Sequence, residues 1–217
     1  MQKILFFMMA IFSFEAMSAR NVASIKSSDR VLHARELLGR HYKKSVVRNF
    51  ELDPSMEKNI LKTVNSRLPK KFKFHANSVA SAIIAESNKH SLDPYFVMAV
   101  ISGESSFNPK AIGPVGEIGL MQLRTTTGEW MAKKVKMKWR GDKTLNDPVA
   151  NIKLGTAYLA WLRERFKGQG QLYVAAYNMG ALSVKRAVGR NVWPKDYPRH
   201  VMKRYLAFYK EMGTTKL

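Results

Sequence analysis

One carboxylate closes an otherwise apolar run. In the stretch AVISGESSFNPKAIGPVGEIGLMQL, residues 99–123, Glu104 follows Val97, Val100 and Ile101 at i+7 after i, i+3 and i+4. That spacing places all four on one side of an α-helix. Burying an ionised carboxylate without a partner is costly, and the usual response is a raised pKa and a protonated acid near neutral pH. A group in that state can act as a general acid. The structural alternative is that Glu104, at the helix end, bends outward and pairs with one of the many Lys or Arg side chains. The neighbourhood favours chemistry. Gly113, Pro114, Gly116 and Gly119 make a turn that lets backbone approach a ligand closely. GLMQL supplies the Gln122 amide, and AAYNMG supplies Tyr177 and Asn178 ahead of Gly180. Amides, a phenol and aromatic surface suit a sugar that carries N-acetyl groups.

The elements that must position these groups are helical. Asn77 or Ser78 can cap a helix bearing Val79, Ile83 and Ile84, which should stop before Asp93-Pro94. A second helix starts with Asp93 as N-cap and Pro94 at the first position, and should end near Asn108 because Pro109 disfavours helical geometry before it. A third is predicted from Thr126, with Glu129 completing a capping box. NDPVANIKLGTAYLAWLRERF reads as a fourth, with Ile152, Leu159, Leu162 and Phe166 on its apolar side, and QLYVAAYNMGALSVKRAV as a fifth. The last runs from about Pro198 to Met212, with Val201, Tyr205, Phe208 and Met212 on one stripe. The predicted class is mainly α: a helical bundle with a small β or irregular element beside the cleft, after residue 108.

At 217 residues the chain has room for one main domain and an appendage. Its unusual property is charge: 37 Lys and Arg against 16 Asp and Glu, a formal net charge of +21, which draws polyanions. Nucleic acid, anionic lipid and acidic cell-wall polymers all fit that field. No RNA- or DNA-reading motif accompanies it, so no specific nucleic-acid partner is expected. There is no cysteine, which excludes thiolate chemistry and Cys-based metal sites, and the five histidines lack ligand spacing, so neither metal nor cofactor is expected. Lys3, the apolar run Ile4–Phe14 and the triplet Ala16-Met17-Ser18 read as a secretory signal over residues 1–18, despite Glu15. An uncleaved anchor or a buried helix is the alternative there. Residues 19–75 read as a basic, helical N-terminal extension interrupted at Asp53-Pro54 and Pro69, serving either as a solvated face or as an anion-binding surface. No later stretch has the eighteen or so apolar residues of a membrane helix.

In this order and with intact spacing, ESSFNPKAIGPVGEIGLMQL, DPVANIKLGTAYL and AAYNMG resemble the catalytic domain of the soluble-type lytic transglycosylases, which share an α+β lysozyme-like fold. The resemblance covers about residues 78–210 and implies that residues 76–217 form an SLT catalytic domain. It implies cleavage of the β-1,4 bond between N-acetylmuramic acid and N-acetylglucosamine in peptidoglycan, leaving a 1,6-anhydro ring, with Glu104 as the single acid and base. It also implies substrate-binding positions at Ser105, Met121, Gln122, Tyr177 and Asn178, with the tyrosine near the catalytic carboxylate. Peptidoglycan strands are then the expected partner, with other anionic envelope polymers beside them. The chain is expected to be an exported monomer, periplasmic or extracellular. Three departures stand out: Gly113 where many relatives have serine, Arg124 where methionine is common, and Asp196, Tyr197, His200 and Val201 where a Glu-Thr-x-x-Tyr-Val run is frequent. Glu117 is the rival carboxylate; as a water-activating base it would make the enzyme a hydrolytic muramidase. A non-catalytic wall-binding or polyanion-binding module is the third reading.

Overall fold

The computed structural model describes residues 25–214, so the expected signal over residues 1–18 lies outside the described residues. Among the described residues ten α-helices carry the fold: α1 Ser27–Leu38, α2 Met56–Arg67, α3 Ala76–Lys89, α4 Pro94–Glu104, α5 Thr125–Lys134, α6 Asp142–Leu145, α7 Pro148–Arg165, α8 Gly170–Met179, α9 Ala181–Gly189 and α10 Asp196–Thr214. Among the described residues the β content is three isolated bridges: Ile112 to Ile118 and Ile118 to Leu123, both antiparallel, in the turn after α4, and a parallel one from Arg140 to Asp142. The architecture is the mainly-α one read from the sequence.

Helix α4 is the axis of the molecule. Every residue from Pro94 to Ile101 is buried, so it is enclosed on all sides, not along one stripe. Its start follows the sequence signal: the Asp93 carboxylate accepts the Tyr95 N–H at 2.9 Å, with Pro94 in the first turn. The same logic starts α7, where Asp147 accepts the Ala150 N–H at 2.7 Å.

Helix α10 runs antiparallel along α4 and grips it at both ends. Tyr205 and Tyr209 donate their hydroxyls to Asp93 Oδ2, each at 2.7 Å, and Tyr197 donates to Glu104 at the other end. The stripe expected on α10, Val201, Tyr205, Phe208 and Met212, is buried throughout.

The basic segment ahead of residue 76 is helical, with 3-10 turns at Gly39–Lys44, Val46–Phe50 and Lys70–His75. Ala34, Val47, Phe50, Ile60 and Val64 join the same apolar core as α4 and α10. Two polar side chains of α1 go in with them. Arg30, 1% exposed, donates to the Tyr209 hydroxyl at 2.9 Å and to the Phe50 and Glu51 carbonyls at 2.7 and 2.5 Å. His33 Nδ1 accepts the Asp93 N–H, and its Nε2 meets the Tyr173 hydroxyl, both at 2.9 Å. Burial, helped by the nearby Arg163 charge, holds that imidazole well below the usual histidine range.

Local structure departs from the sequence reading in three places. Helix α4 ends at Glu104, not near Asn108, because Ser106 and Phe107 take positive φ, which turns the Phe107 ring into the core. The capping box does not form: Arg124 holds the cap position of α5, and Glu129 pairs instead with Lys133 at 2.9 Å. The expected fifth helix is two, broken at Gly180, whose φ of 83° interrupts helical geometry.

Candidate active site

The end of α4 opens onto a cavity of about 430 Å³ lined by Glu104, Glu117, Gln122, Tyr158, Tyr177 and Asn178, among others. Four of the six expected site residues therefore meet around one space: Glu104, Gln122, Tyr177 and Asn178. Ser105 and Met121 sit behind its wall. Ser105 is buried and donates to the Leu120 carbonyl at 2.8 Å, tying the helix end to the turn. The Met121 side chain is fully buried against Gly155 of α7; a Cβ at that glycine would stand 2.4 Å from the Met121 sulfur. Their geometry is that of supports for the site.

The Met121 backbone is held from both sides. Its N–H donates to Asn151 Oδ1 at 2.8 Å, and its carbonyl accepts the Tyr177 hydroxyl at 2.8 Å. Asn151 Nδ2 also donates to the Ile118 and Leu145 carbonyls at 2.8 and 3.0 Å. One buried amide thereby pins the glycine-rich turn to α7. Gly119 makes that contact possible, because its φ of 83° suits glycine and a Cβ there would lie 2.4 Å from Asn151 Nδ2. Gln122, at φ 46°, donates its amide nitrogen to the Ala111 and Gly119 carbonyls at 3.1 and 2.9 Å. Those two acceptors fix the amide orientation and leave its Oε1 as the free acceptor.

Glu104 is half-buried and has no ion pair among the described residues. Burial raises its pKa above the ordinary carboxylate value, and the nearby Glu117 charge pushes the same way. The hydrogen bond from Tyr197 and the Arg204 charge oppose the rise without cancelling it. Tyr177, expected near the carboxylate, lines the same cavity, but its hydroxyl is committed to Met121; the donor to Glu104 is Tyr197.

The second carboxylate behaves differently. Burial alone would raise the Glu117 pKa. Its own N–H, the Val115 N–H at 3.2 Å and Arg124 Nε at 3.3 Å outweigh that and hold it below the usual value. Both its oxygens are thus engaged, and Arg124 is its partner. Gly113 is explained here too: a Cβ at that position would lie 2.4 Å from Glu117 Oε2 and 2.7 Å from Gln122 Oε1, so these side chains fill the space a serine would take.

Sequence reasoning missed two residues of this site, Tyr197 and Asn151. A polar side chain within the apolar run of α7 was the signal for Asn151; Tyr197 had none beyond its departure from the family run. Among the described residues no cluster of acidic, His or Cys side chains could hold a metal. A larger groove of about 760 Å³ lies between α2 and the start of α3, lined by Lys58, Lys62, Lys73 and several asparagines. It contains no carboxylate and no acid–base pairing.

Residues 81–199, more than half the chain, match the family model described as "Transglycosylase SLT domain". Over 95 residues the chain is 37% identical to a putative soluble lytic murein transglycosylase of Haemophilus influenzae, covering 44% of this chain and 16% of that protein. It therefore spans a small part of the length of such relatives. An inactive mutant of the lytic transglycosylase Slt from Pseudomonas aeruginosa superposes with a TM-score of 0.56 at 26% identity, over 61% of this chain and 24% of that one. The 70 kDa soluble lytic transglycosylase of Escherichia coli shares the fold over 88% of this chain and 31% of its own, with a TM-score of 0.55 at 22% identity.

Proposed function

Because this chain belongs to the transglycosylase SLT domain family, we propose that it is a peptidoglycan lytic transglycosylase that cleaves the N-acetylmuramic acid–β-1,4–N-acetylglucosamine bond. The observation that carries this reading is the half-buried Glu104 carboxyl, without an ion pair among the described residues and raised in pKa, facing a cavity of amides and phenols. Tyr197 holds Oε1, which leaves Oε2 to exchange the proton.

In the first step protonated Glu104 gives its proton to the glycosidic oxygen as the bond to the muramic acid C1 breaks. The substrate's own N-acetyl oxygen takes up the cationic charge at C1, so no second enzyme carboxylate is needed, unlike the two-carboxylate glycosidases. Glu104, now ionised, then removes the proton of the muramic acid C6 hydroxyl, whose oxygen bonds to C1. The 1,6-anhydro ring closes, water is not consumed, and Glu104 is again protonated. A carboxyl that must serve as acid and then base works best with a pKa near the operating pH, the direction in which burial moves Glu104. Gln122 Oε1 and Asn178 are the groups suited to the N-acetyl substituents. The net charge of +21 suits retention on carboxylate-rich wall, and a secretory signal would deliver the chain to the periplasm or beyond.

One observation favours a second reading, a hydrolytic muramidase: Glu117 shares the cavity. Its engaged oxygens argue against it as a free base. Digestion of purified wall separates the two. Mass spectrometry of the products should show 1,6-anhydromuropeptides, and Glu104→Gln should abolish them; reducing-end products alone would establish hydrolysis, undiminished lysis by Glu104→Gln would remove Glu104 from the reaction, and no lysis by the wild-type chain would remove the enzyme assignment.

A further inference from the structure

The cavity at Glu104 continues past Tyr177. Thr127, Tyr158 and Gly180 belong both to it and to a second, shallower hollow of about 410 Å³ that adds Trp130, Trp161 and Leu182. An aromatic path joins the two. The Tyr177 and Tyr158 ring centroids are 5.5 Å apart, Tyr158 and Trp161 lie nearly parallel at 6.0 Å, and Trp130 stands at 89° to Trp161 at 4.7 Å. Trp130 keeps 36% of its surface in water and Leu182 63%, an apolar surface left uncovered beside the cleft.

Two cations accompany the indoles. Lys134 Nζ lies 5.4 Å from the centre of the Trp130 ring, and the Arg165 guanidinium 5.2 Å from that of Trp161. Both are exposed at the rim, outside the lining of the hollow itself, and neither forms an ion pair among the described residues; the lining contains no Asp or Glu. Indoles take the apolar C–H face of a sugar ring, and a cation on the same indole is then placed to meet a carboxylate carried by that sugar.

We propose that Trp130, Tyr158, Trp161, Lys134 and Arg165 form a glycan-binding shelf, continuous with the cleft, that selects strands bearing carboxylate substituents over neutral strands. This rests on the reading of the cleft as a peptidoglycan site and names the feature of the strand that is recognised. The rings hold any β-1,4-linked N-acetylated sugar; the cations add the preference for lactyl and stem-peptide carboxylates. The neutral strand lacks both.

The test is binding by the full chain with Glu104→Gln, which holds strands without cutting them. Two probes are titrated: purified glycan strands with stem peptides, and a neutral chito-oligosaccharide of matched length. Replacing Lys134→Gln and Arg165→Gln together should weaken the peptide-bearing strand about three- to tenfold and leave the neutral one unchanged. Trp130→Ala should weaken both. Lys58→Gln with Lys62→Gln, in the groove remote from the cleft, is the charge-matched control and should do less. Lys58, Lys62, Lys134 and Arg165 are exposed and Trp130 is at the surface, and the melting of each variant is checked alongside. Equal losses on both probes after the Lys134 and Arg165 changes, no loss at all, an equal loss from the control pair, or intact binding after Trp130→Ala would each overturn the shelf. Failure of wild-type chain to release anhydro products is a separate outcome, bearing on the reaction and not on these affinities.

Discussion

Tyr197 and Glu104 stand 93 residues apart in the chain, and the tyrosine hydroxyl donates its hydrogen bond to Oε1 of the glutamate. The bond favours the ionised carboxyl, while burial favours the neutral one, and burial prevails. The phenol itself is pushed well above its ordinary value, first by burial and then by the Glu104 charge, so it remains a donor across the working pH range.

Tyr197→Phe should therefore move the Glu104 pKa still higher. The pH–rate profile of wall digestion is expected to shift toward alkaline pH, with turnover reduced roughly ten- to hundredfold for loss of one hydrogen bond to a charged group. A profile that overlays the wild type would show that the hydroxyl does not act on the carboxyl.

Glu117→Gln should shift the same profile the other way. Removing a like charge from the cavity makes Glu104 easier to ionise, so its pKa falls and the profile moves toward acid, while most turnover survives. Loss of more than about a hundredfold would instead make Glu117 a participant on the scale of a general base.

Arg30→Ala is expected to unfold much of the protein's margin. Asp93 is fully buried; burial raises its pKa, and Arg30, Tyr209 and Tyr205 oppose that rise without cancelling it. Arg30 reaches Asp93 through the Tyr209 hydroxyl, so removing it takes the donor from that phenol and from the Phe50 and Glu51 carbonyls, a loss of about 1–3 kcal/mol for each buried group left unsatisfied. Denaturant melts of the full chain measure it, with Lys70→Ala as an exposed control.

Gly155→Ala should damage the site from behind. The new methyl would sit 2.4 Å from the Met121 sulfur and 2.8 Å from its Cβ, so the turn that carries Gln122 has to move. Overpacking of this kind costs about 1–3 kcal/mol, and catalysis should fall further than the melting temperature suggests.

Much of this was legible before the structure. The Asp-Pro pairs that start α4 and α7 are local chemistry, a carboxylate accepting the N–H of a residue two or three ahead, and a linear reading finds them. So is the seven-residue spacing that brings Glu104 to the end of an apolar helix. The capping box at Thr126 was equally local and did not form, because the helix starts at Thr125 with Arg124 at the cap, which puts Thr126 inside the first turn, and Glu129 found Lys133. Tyr197 and Arg30 act across 93 and 179 residues, and no short-range pattern encodes such pairings.

The grip of α10 on both ends of α4 has a consequence for the order of synthesis. A nascent chain that has reached residue 195 already contains Glu104, the glycine turn, Gln122 and the Tyr177-Asn178 pair. It still lacks the phenols that hold Asp93 and Glu104. The Glu104 carboxyl gains its hydrogen-bond partner when Asp196–Thr214 has been made and laid along the core, so a partly made or truncated chain carries the cleft without the phenol that orients its carboxyl.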